Sequence, residues 1–369
     1  MNQSTQVDVI VVGGGIAGIG AAAMLSRQAK VVVLEAESQC GYHATGRSAA
    51  IYIPSYGGPE ICQLTADSES YLSLPNQYSN EQSFLRERGE VLVACEGEED
   101  TMTEHLAVNS EPEEISLSEA IDYVPILNPK TIRRASIEKS ARDIDTDLLL
   151  QSWIRLCRSR GGRIITGQPV SSVHQDAGIW TVETAQQTYQ SPIVINAAGA
   201  WADQVAVLAG VKPVGLIPCR RSAALIPPPG NYEVSKWPLF GSVAETWYAK
   251  PMGGKLMVSP ADEDPVEPHD AYAEDMTIIE GIDRYERAVT MPVDRVEHNW
   301  AGLRTFAKDK VPVVGWDAGV ENFFWLAGQG GYGFQTAPAL SQLVASIIFK
   351  EAGSAEISKL VDALSPRRF

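Results

Sequence analysis

A glycine-rich loop between two strand-like segments constrains the fold of this chain more than any other feature. Gly13, Gly15 and Gly18 have the spacing G-x-G-x-x-G, and they follow the β-branched run of residues 7–12. A helical stretch comes next, and a second β-branched run over residues 30–35 ends in Glu35. This order is typical of a strand–helix–strand unit in a buried parallel sheet whose first loop binds a dinucleotide.

Each of these residues has a physical role in such a site. Gly13 permits the tight turn, Gly15 lets the backbone approach a pyrophosphate, and Gly18 allows close helix–strand packing. The helix N-terminus adds free N–H groups and a partial positive charge. Glu35 is placed to accept hydrogen bonds from a ribose, and its charge disfavours a 2′-phosphate. The loop predicts an ADP-containing dinucleotide and leaves NAD and FAD open.

Charge and composition narrow the classes of function. The 369 residues suffice for two domains, and 30 basic against 46 acidic residues leave a formal charge of −16. Such a surface disfavours nucleic acid and anionic membranes as partners. Five cysteines without C-x-x-C spacing indicate a reduced compartment, without a disulfide framework or a metal site. The start lacks the basic region of a signal peptide, and we expect a cytoplasmic protein without integral membrane contact.

Elements typical of a nucleotide-binding sheet recur along the whole chain. The further predicted elements are a strand at 89–94, a helix at 143–162 with an acidic cap and a glycine stop, three short alternating strands within 163–185, a buried strand at 192–200, an antiparallel sheet within 210–300, and a strand, glycine turn and long helix at 322–349. Because the nucleotide-type segments lie at both ends and in the middle, we expect one domain to interrupt the other.

Three segments carry a resemblance to a known family: "GYHATGRSAA" (41–50), "VINAAGAW" (194–201) and "GQGGYGFQT" (328–336). Together with "DIDTD", "RRSA", "YAKP" and "WAGLRTF", in this order, the chain resembles the D-amino-acid oxidase family of flavoproteins, to which glycine and sarcosine oxidases belong. The resemblance covers almost the whole chain. Within the family, the sequence looks most similar to the bacterial FAD-dependent D-arginine dehydrogenases.

The resemblance implies an α/β (α+β) fold like that of glycine and sarcosine oxidases, with a Rossmann-type FAD-binding domain interlaced with an antiparallel-sheet substrate domain. The FAD-binding domain is expected at 1–55, 140–210 and 305–369, and the substrate-binding domain at 56–139 and 211–304.

The resemblance also implies non-covalent FAD. The small residues after Glu35 would pass beside the flavin, with Ser48 and Ala49 nearest, while His43 and Arg47 would brace the loop. The glycine turn before the last helix would aim N–H groups at the negative edge of reduced flavin. The predicted cofactor-binding residues are Gly13, Gly15, Ile16, Ala17, Gly18, Glu35, Ala36, Thr45, Gly46, Arg47, Ser48, Ala49, Ala50, Val170, Ala198, Gly199, Trp201, Gly302, Arg304, Gly330, Gly331, Tyr332, Gly333, Phe334 and Gln335.

The substrate residues follow from the same resemblance. Arginine binds carboxylates through two prongs, so Arg221 and Arg304 would hold an α-carboxylate, whereas Arg220 would point to the other face of its strand. Tyr56 and Tyr248 match lid and wall tyrosines. The remaining predicted groups are Gln335 and the Gly331 carbonyl near the amine, and Glu90 facing a basic side chain. Ile51 stands where the relatives have a histidine, which makes the pocket more apolar.

The implied reaction is oxidation of a D-amino acid to an imino acid, which water converts to a keto acid and ammonia. Hydride would pass from Cα to flavin N5, and electrons would continue to a quinone, another acceptor or oxygen. Basic side chains such as D-Arg or D-Lys, or apolar ones, remain open. Lys255 is offset by one residue from the lysine of sarcosine oxidases, with Leu256 in its place, and this favours a dehydrogenase.

Three alternatives stay open. Two are enzymes of the same fold, a glycine- or sarcosine-type secondary-amine oxidase and a 2-hydroxy-acid dehydrogenase. The third is a flavin-binding electron-carrier subunit without a substrate of its own.

Overall fold

The computed structural model describes residues 4–351 and 355–369, so the ends of the predicted FAD-binding segments at 1–3 and 352–354 lie outside the described residues. In chain order the strands are β1 (Thr5–Gln6), β2 (Val9–Val12), β3 (Val31–Leu34), β4 (Ile51–Tyr52), β5 (Leu85–Glu87), β6 (Glu90–Cys95), β7 (Glu113–Ile115), β8 (Ile132–Glu138), β9 (Arg142–Ile144), β10 (Arg163–Ile165), β11 (Val170–Asp176), β12 (Ile179–Thr184), β13 (Thr188–Ser191), β14 (Ile193–Asn196), β15 (Ile217–Ile226), β16 (Leu239–Ser242), β17 (Tyr248–Met252), β18 (Lys255–Ser259), β19 (Asp264–Pro265), β20 (His298–Phe306), β21 (Val313–Trp316) and β22 (Phe323–Ala327). The helices are α1 (Ile16–Leu25), α2 (Pro59–Ser73), α3 (Glu99–Val108), α4 (Leu117–Tyr123), α5 (Thr146–Ser159), α6 (Ala202–Leu208), α7 (Asp275–Ala288), α8 (Gly333–Phe349) and α9 (Ala355–Leu364).

The glycine loop belongs to a six-stranded sheet with the order β10-β3-β2-β14-β22-β21. Neighbours from β10 to β22 run parallel, and β21 pairs antiparallel with β22. Every residue of β2, β3 and β22 is buried, as the continuous apolar runs predict for a sheet covered on both faces. The predicted Rossmann-type sheet is therefore confirmed.

The three short strands expected within 163–185 are all present, and they belong to two different sheets. The first of them, β10, joins the edge of the six-stranded sheet, parallel to β3. Helix α5 supplies the crossover that a parallel connection needs. Only the two later segments of that set, β11 and β12, form an antiparallel ladder, which β13 extends.

A nine-stranded sheet carries the other half of the molecule. Its order is β19-β15-β18-β17-β16-β6-β8-β7, and β20 also pairs with β15. Apart from the parallel pair β16–β6, its neighbours are antiparallel, as predicted for residues 210–300. Strands that precede α5 and strands that follow α6 share this sheet. The domain boundaries themselves stay a prediction.

The two sheets meet around a single set of loops. The carboxyl ends of β2, β14 and β22 lead into the glycine loop, the turn at 197–200 and the turn at 328–332, and all three border one cavity. The neighbouring strands β15 and β20 present side chains to it from the nine-stranded sheet. In open parallel sheets the carboxyl ends of the strands are where ligands bind.

In the part of the chain that is described, no helix combines the length and apolar character that crossing a bilayer requires.

Candidate functional site

A cavity of about 510 Å³ extends from the glycine loop to the nine-stranded sheet. The predicted residues that line it are Gly13, Gly15, Ile16, Ala17, Glu35, Ala36, Thr45, Arg47, Ser48, Ala49, Val170, Ala198, Gly199, Trp201, Arg221, Tyr248, Gly302, Arg304, Gly330, Gly331, Gly333 and Phe334. The predicted residues outside this lining are Gly18, Gly46, Ala50, Tyr56, Glu90, Tyr332 and Gln335. The first group brings predicted cofactor and substrate residues into one space.

The glycine loop is held by close backbone packing. Gly13 has φ +109°, and a Cβ built there would lie 2.4 Å from the Ala197 carbonyl oxygen. A Cβ on Gly18 would lie 2.0 Å from the Gly13 carbonyl oxygen. Gly18 therefore acts by letting α1 approach the loop, not by touching a ligand.

Glu35 ends β3 with its carboxylate held by backbone donors. Its Oε2 accepts a hydrogen bond from Gly14 N at 2.6 Å, and its Oε1 accepts one from Glu37 N at 2.8 Å. Each oxygen keeps a second lone pair, and the residue lines the cavity. The carboxylate is thus oriented to accept from the hydroxyls of a ribose.

Two helices begin at the cavity, and they differ in how their first N–H groups are used. At α1, Ile16 N donates to Thr45 Oγ1 at 3.0 Å. Helix α8 begins at Gly333 with no side-chain cap and no acidic residue in its first turn. Its N-terminus therefore keeps donors and a partial positive charge available for an anionic or polar ligand.

Gln329 lines the cavity and carries an unused hydrogen-bond donor. Its Nε2 atom is buried without a hydrogen-bond partner among the described residues. A buried donor without an acceptor is costly, and a ligand acceptor that reached it would remove that cost. FAD, with its pyrophosphate, ribityl chain and flavin carbonyls, fits this donor and the glycine cradle.

The loop at 41–50 is braced by its two charged residues. Arg47 donates to Ala271 O at 2.7 Å and to Ala301 O at 3.1 Å, and it pairs with Asp270. The His43 ring packs against Trp201, and its Nε2 lies 3.0 Å from the Glu37 carboxylate. Both side chains are committed to protein contacts.

The other end of the cavity is dominated by Arg304. Its Nη1 donates to the Tyr56 hydroxyl at 3.4 Å, and a Cβ on Gly331 would lie 2.8 Å from the same nitrogen. Among the described residues no carboxylate lies within ion-pair distance of this guanidinium. The Tyr56 ring packs against Tyr332, with 4.9 Å between the ring centres. Arg304 is therefore a charge without a counter-charge in a cavity wall.

The tyrosines around Arg304 have different acidities. Burial raises the pKa of the Tyr56 phenol, against the opposing charge of Arg304. Burial also acts to raise the pKa of Tyr248, but the positive charges of Arg304 and Arg221 outweigh it and lower that pKa below its ordinary value. Tyr56 therefore remains a hydrogen-bond donor near neutral pH, and Tyr248 is the more acidic of the two.

The adjacent arginines of β15 point in opposite directions. Arg221 lines the cavity, donates to Asp262 O at 2.7 Å, and has its Nη2 3.6 Å from Glu263. Arg220 is buried on the other face, where three carboxylates surround it. Those three are Asp262 at 3.5 Å, Asp264 at 3.1 Å and Glu274. Arg220 is thus a structural charge, and Arg304 is less compensated than either of these arginines.

Gln335, predicted to lie near the substrate amine, makes protein contacts through both atoms of its amide. The residue is 3% exposed, and its Nε2 donates to Thr65 Oγ1 at 2.9 Å and to Tyr56 O at 3.4 Å. Its Oε1 accepts from Ile53 N at 3.3 Å. With both amide atoms engaged, Gln335 positions the Tyr56 loop and has little left for a substrate amine.

Glu90 is not among the residues that line the cavity, and it lies directly opposite Glu138 in the antiparallel pair β6–β8. Both carboxyl groups are buried, and Glu138 accepts hydrogen bonds from Ser55. Burial, together with the charges of Glu138 and Glu245, raises the pKa of Glu90 to about 8. Glu90 is therefore mostly protonated at neutral pH, so it is a weaker attractant for a cation than the sequence implied.

Several residues of the site were not singled out in the sequence. Gln329, Met257, Trp300 and Gln168 line the cavity. Gln329 stands inside "GQGGYGFQT" and Trp300 begins "WAGLRTF", so the motifs were a usable signal for both, but which face of its strand Met257 occupies depends on the sheet register.

Comparison of the sequence with known proteins gives a family and a partial match to one enzyme. The profile of the DAO family, described as FAD dependent oxidoreductase, matches residues 8–347. An N-methyl-L-tryptophan oxidase from Salmonella agona is 25% identical over 230 residues, and this match spans 58% of each chain. The matched part is therefore little more than half the length of that relative.

Two solved structures share the fold over nearly their full length. The L-proline dehydrogenase from P. horikoshii superposes with a TM-score of 0.85 at 20% identity, covering 100% of this chain and 98% of the other. The glycine oxidase from Geobacillus kaustophilus gives a TM-score of 0.84 at 18% identity, covering 99% and 100%.

Proposed function

Because the chain belongs to the DAO family of FAD-dependent oxidoreductases, we propose that it is an FAD-dependent dehydrogenase that oxidises the amine of a free D-amino acid. The observation that carries this proposal is the guanidinium of Arg304, which lies at the cavity without a carboxylate partner in the described chain. An uncompensated charge in a protein interior is unfavourable, and a bound α-carboxylate removes that cost.

The neighbours of Arg304 support an amino acid in particular. Tyr248 brings its hydroxyl to the same end of the cavity, where it can bind a carboxylate oxygen or an amine, and Tyr56, outside the lining, accepts a hydrogen bond from Arg304. The names of the relatives point the same way, since an N-methyl-L-tryptophan oxidase, an L-proline dehydrogenase and a glycine oxidase all act on amino acids. The D configuration is supported by the resemblance of the motifs to D-arginine dehydrogenases.

The chain's own residues would do three things in the reaction. Arg304, assisted by Arg221, clamps the carboxylate and so orients Cα, which is the main contribution to the rate. Tyr56, held from behind by Gln335, shields the site from water. The buried surroundings lower the pKa of a bound amine, so that the substrate reacts in its neutral form. Bound FAD supplies the acceptor for the hydride.

Electron transfer onward is proposed to go to a quinone or another acceptor, with oxygen as a poor substitute. Lys255, the candidate for an oxygen-activating lysine, pairs with Glu297 at the surface, and the buried Leu256 follows it in β18. Lys255 shares its face of β18 with Met257, which lines the cavity, but Lys255 itself is not part of the lining. The ammonium of Lys255 is therefore held away from the cavity.

We propose that the protein prefers substrates with uncharged side chains at neutral pH. This preference shifts towards basic amino acids as pH rises. Glu90 is protonated below a pKa of about 8, and Ile51 stands where the sequence resemblance implies a polar histidine. Deprotonation of Glu90 above that pKa leaves two carboxylates, Glu90 and Glu138, facing each other. A cationic side chain would relieve that repulsion.

The test is anaerobic mixing of the FAD-loaded protein with D- and L-amino acids, sarcosine and 2-hydroxy acids at pH 7 and pH 9, following loss of flavin absorbance. We expect D-Leu, D-Met or D-Phe to reduce the flavin fastest at pH 7, and the ratio of D-Arg to D-Leu rates to rise at pH 9. In the matched variant Glu90→Gln this ratio should not change with pH.

Other outcomes separate the alternatives. Faster reduction by sarcosine or by a 2-hydroxy acid would replace the proposal with a secondary-amine or hydroxy-acid enzyme. If none of these compounds reduces the flavin, the electron-carrier alternative takes its place.

A further inference from the structure

Lys250 forms a buried charge cluster directly behind the cavity wall. This lysine, on β17, has a side chain that is 8% exposed, and its ammonium lies 2.7 Å from Asp143 Oδ1. The other carboxylate oxygen of Asp143 accepts from Arg88 Nε at 2.7 Å. Arg88 is held in turn by the carbonyls of Ser235 and Trp237, each at 2.7 Å. We call Arg88, Asp143 and Lys250 the Lys250 cluster.

The ammonium of Lys250 shapes the backbone that it meets. It donates to Ala49 O at 2.6 Å and to Ala50 O at 3.2 Å, while its contact with Asp143 Oδ1 is an ion pair without a directed hydrogen bond. In an extended chain successive carbonyls point to opposite sides. For both to converge on one nitrogen the backbone must turn, and Ala50 accordingly has φ +30°, which is strained for a residue with a side chain.

The turned segment is part of the cavity. Ser48 and Ala49 line it, and Ser48 Oγ accepts from Ala50 N at 3.1 Å. One peptide layer therefore separates the ammonium from the cavity. Without the ammonium, two buried carbonyls would lose their donor and the turn would lose its support.

The charges of the Lys250 cluster do not cancel. Within ion-pair distance the described residues supply one carboxylate, Asp143, for the two cations Arg88 and Lys250. The cluster thus carries a net positive charge in a region of low polarisability, where charge acts over longer distances than in water. Reduced flavin is the more negative form of the cofactor, so a nearby positive charge stabilises it relative to the oxidised form.

We propose that Lys250 is a positioning residue that holds the Ala49–Ala50 turn in the wall of the FAD cavity, and that the net charge of its cluster favours reduced over oxidised flavin. The placement of the flavin beside this turn rests on the proposed function. The quantity that measures the effect is the ratio of the affinities for reduced and oxidised FAD, obtained from the reduction potentials of free and bound flavin.

The experiment compares Lys250→Met, Lys250→Arg and Asp143→Asn with Lys255→Met as the matched control, a lysine of the adjacent strand that pairs at the surface. Lys250→Met should lower the reduced-to-oxidised affinity ratio by about tenfold, as expected for one charge several ångströms away at an intermediate dielectric. Lys250→Arg should restore most of it, and Lys255→Met should match the wild type. Asp143→Asn makes the cluster more positive and should raise the ratio.

Opposite shifts in Lys250→Met and Asp143→Asn are the signature of charge, because a loss of packing would not reverse sign between them. Wild-type ratios in both variants, or shifts in the same direction, would overturn the proposal. If Lys250→Met fails to fold, the sign of the Asp143→Asn shift decides. A wild type that binds FAD but is reduced by no amino acid contradicts the proposed function only, since the ratio can still be measured with a chemical reductant.

Discussion

The two ends of the cavity are formed by different kinds of chemical group. At the cofactor end the contacts come from backbone groups and glycines, such as Gly13 packed on Ala197 and the open N-terminus of α8. At the substrate end they come from charged and phenolic side chains, with Arg304 on β20, Tyr248 on β17 and Tyr56 on a separate loop. At the first end Gly13 and Gly18 leave no room for an added Cβ, whereas the second end depends on the charge and hydrogen bonding of a few groups.

The most severe test of this contrast is Gly18→Ala at the cofactor end. The new Cβ would lie 2.0 Å from the Gly13 carbonyl oxygen, so α1 or the loop must move. We expect FAD affinity to fall by on the order of 100-fold or more, or folded protein to be lost, which titration of apoprotein and thermal unfolding will show. The control is Gly319→Ala, where the nearest atom to a new Cβ lies at 3.8 Å. Equal behaviour of the two variants would contradict the close-packing argument.

At the substrate end, Arg304→Leu should leave the shape of the cavity largely intact and remove its charge. We expect the apparent dissociation constant of the amino acid to rise by roughly 100-fold or more, with FAD retained. The free energy of unfolding of the substrate-free protein should rise, because an uncompensated charge is removed.

The matched comparison is Arg220→Leu, which strips three carboxylates of their cation and should lower the free energy of unfolding. If Arg304→Leu instead releases FAD while the remaining holoenzyme keeps its affinity for substrate, Arg304 belongs to the cofactor end. Flavin titration and substrate titration on the same sample separate the two results.

Replacing Glu90 tests whether repulsion between Glu90 and Glu138 lowers the free energy of unfolding at high pH. Its pKa in the folded state, about 8, exceeds the unfolded value, so the folded state holds the proton more tightly. The stabilisation is complete below the unfolded pKa and is lost as pH rises through the folded pKa. From pH 5 to pH 9 the wild type should lose on the order of 3 kcal/mol of unfolding free energy relative to Glu90→Gln.

Urea unfolding at several pH values measures this difference. Parallel pH profiles of the two proteins would show that Glu90 titrates normally and that its pairing with Glu138 has no energetic cost.

The smallest expected effect is at Gln329, where the two ends meet. Gln329→Leu removes one donor that lacks a protein partner, so the stability of the apoprotein should stay within about 1 kcal/mol of the wild type. FAD affinity should fall by about tenfold, as for one hydrogen bond. Gln63→Leu, on the exposed face of α2, provides the control, and an unchanged FAD affinity in Gln329→Leu would remove this residue from the cofactor site.

The parts of the fold that could be predicted are those that depend on local sequence. The apolar runs at 7–12 and 30–35 gave β2 and β3, the acidic cap at Asp145 accepts from Leu148 N at 3.0 Å, and the run at 322–349 forms β22 and α8. The strand within 163–167 was predicted too, but its pairing with β3 was not, because a short strand contains no information about which sheet edge it will meet.

The candidate site divides in the same way. The glycine loop and the terminal Glu35 lie within one strand–helix–strand unit, so spacing alone indicated a dinucleotide, and the family resemblance added FAD. The contacts that Gln335 and Glu90 make could not be predicted from their neighbours in the sequence. Gln335 donates to Thr65, 270 residues away in the chain, and Glu90 faces Glu138 only through the register of β6 and β8.

By itself, the sequence determined the parallel sheet and the glycine loop that follows its first strand, because hydrophobic periodicity and glycine spacing act over a few residues. Tertiary structure alone decided which charges are compensated. Arg304 and Tyr56 meet across 248 positions of the chain, and Lys250 reaches Ala49 across 201. Whether a charge is compensated depends on the groups around it. Those groups come together only once the two sheets have packed against each other.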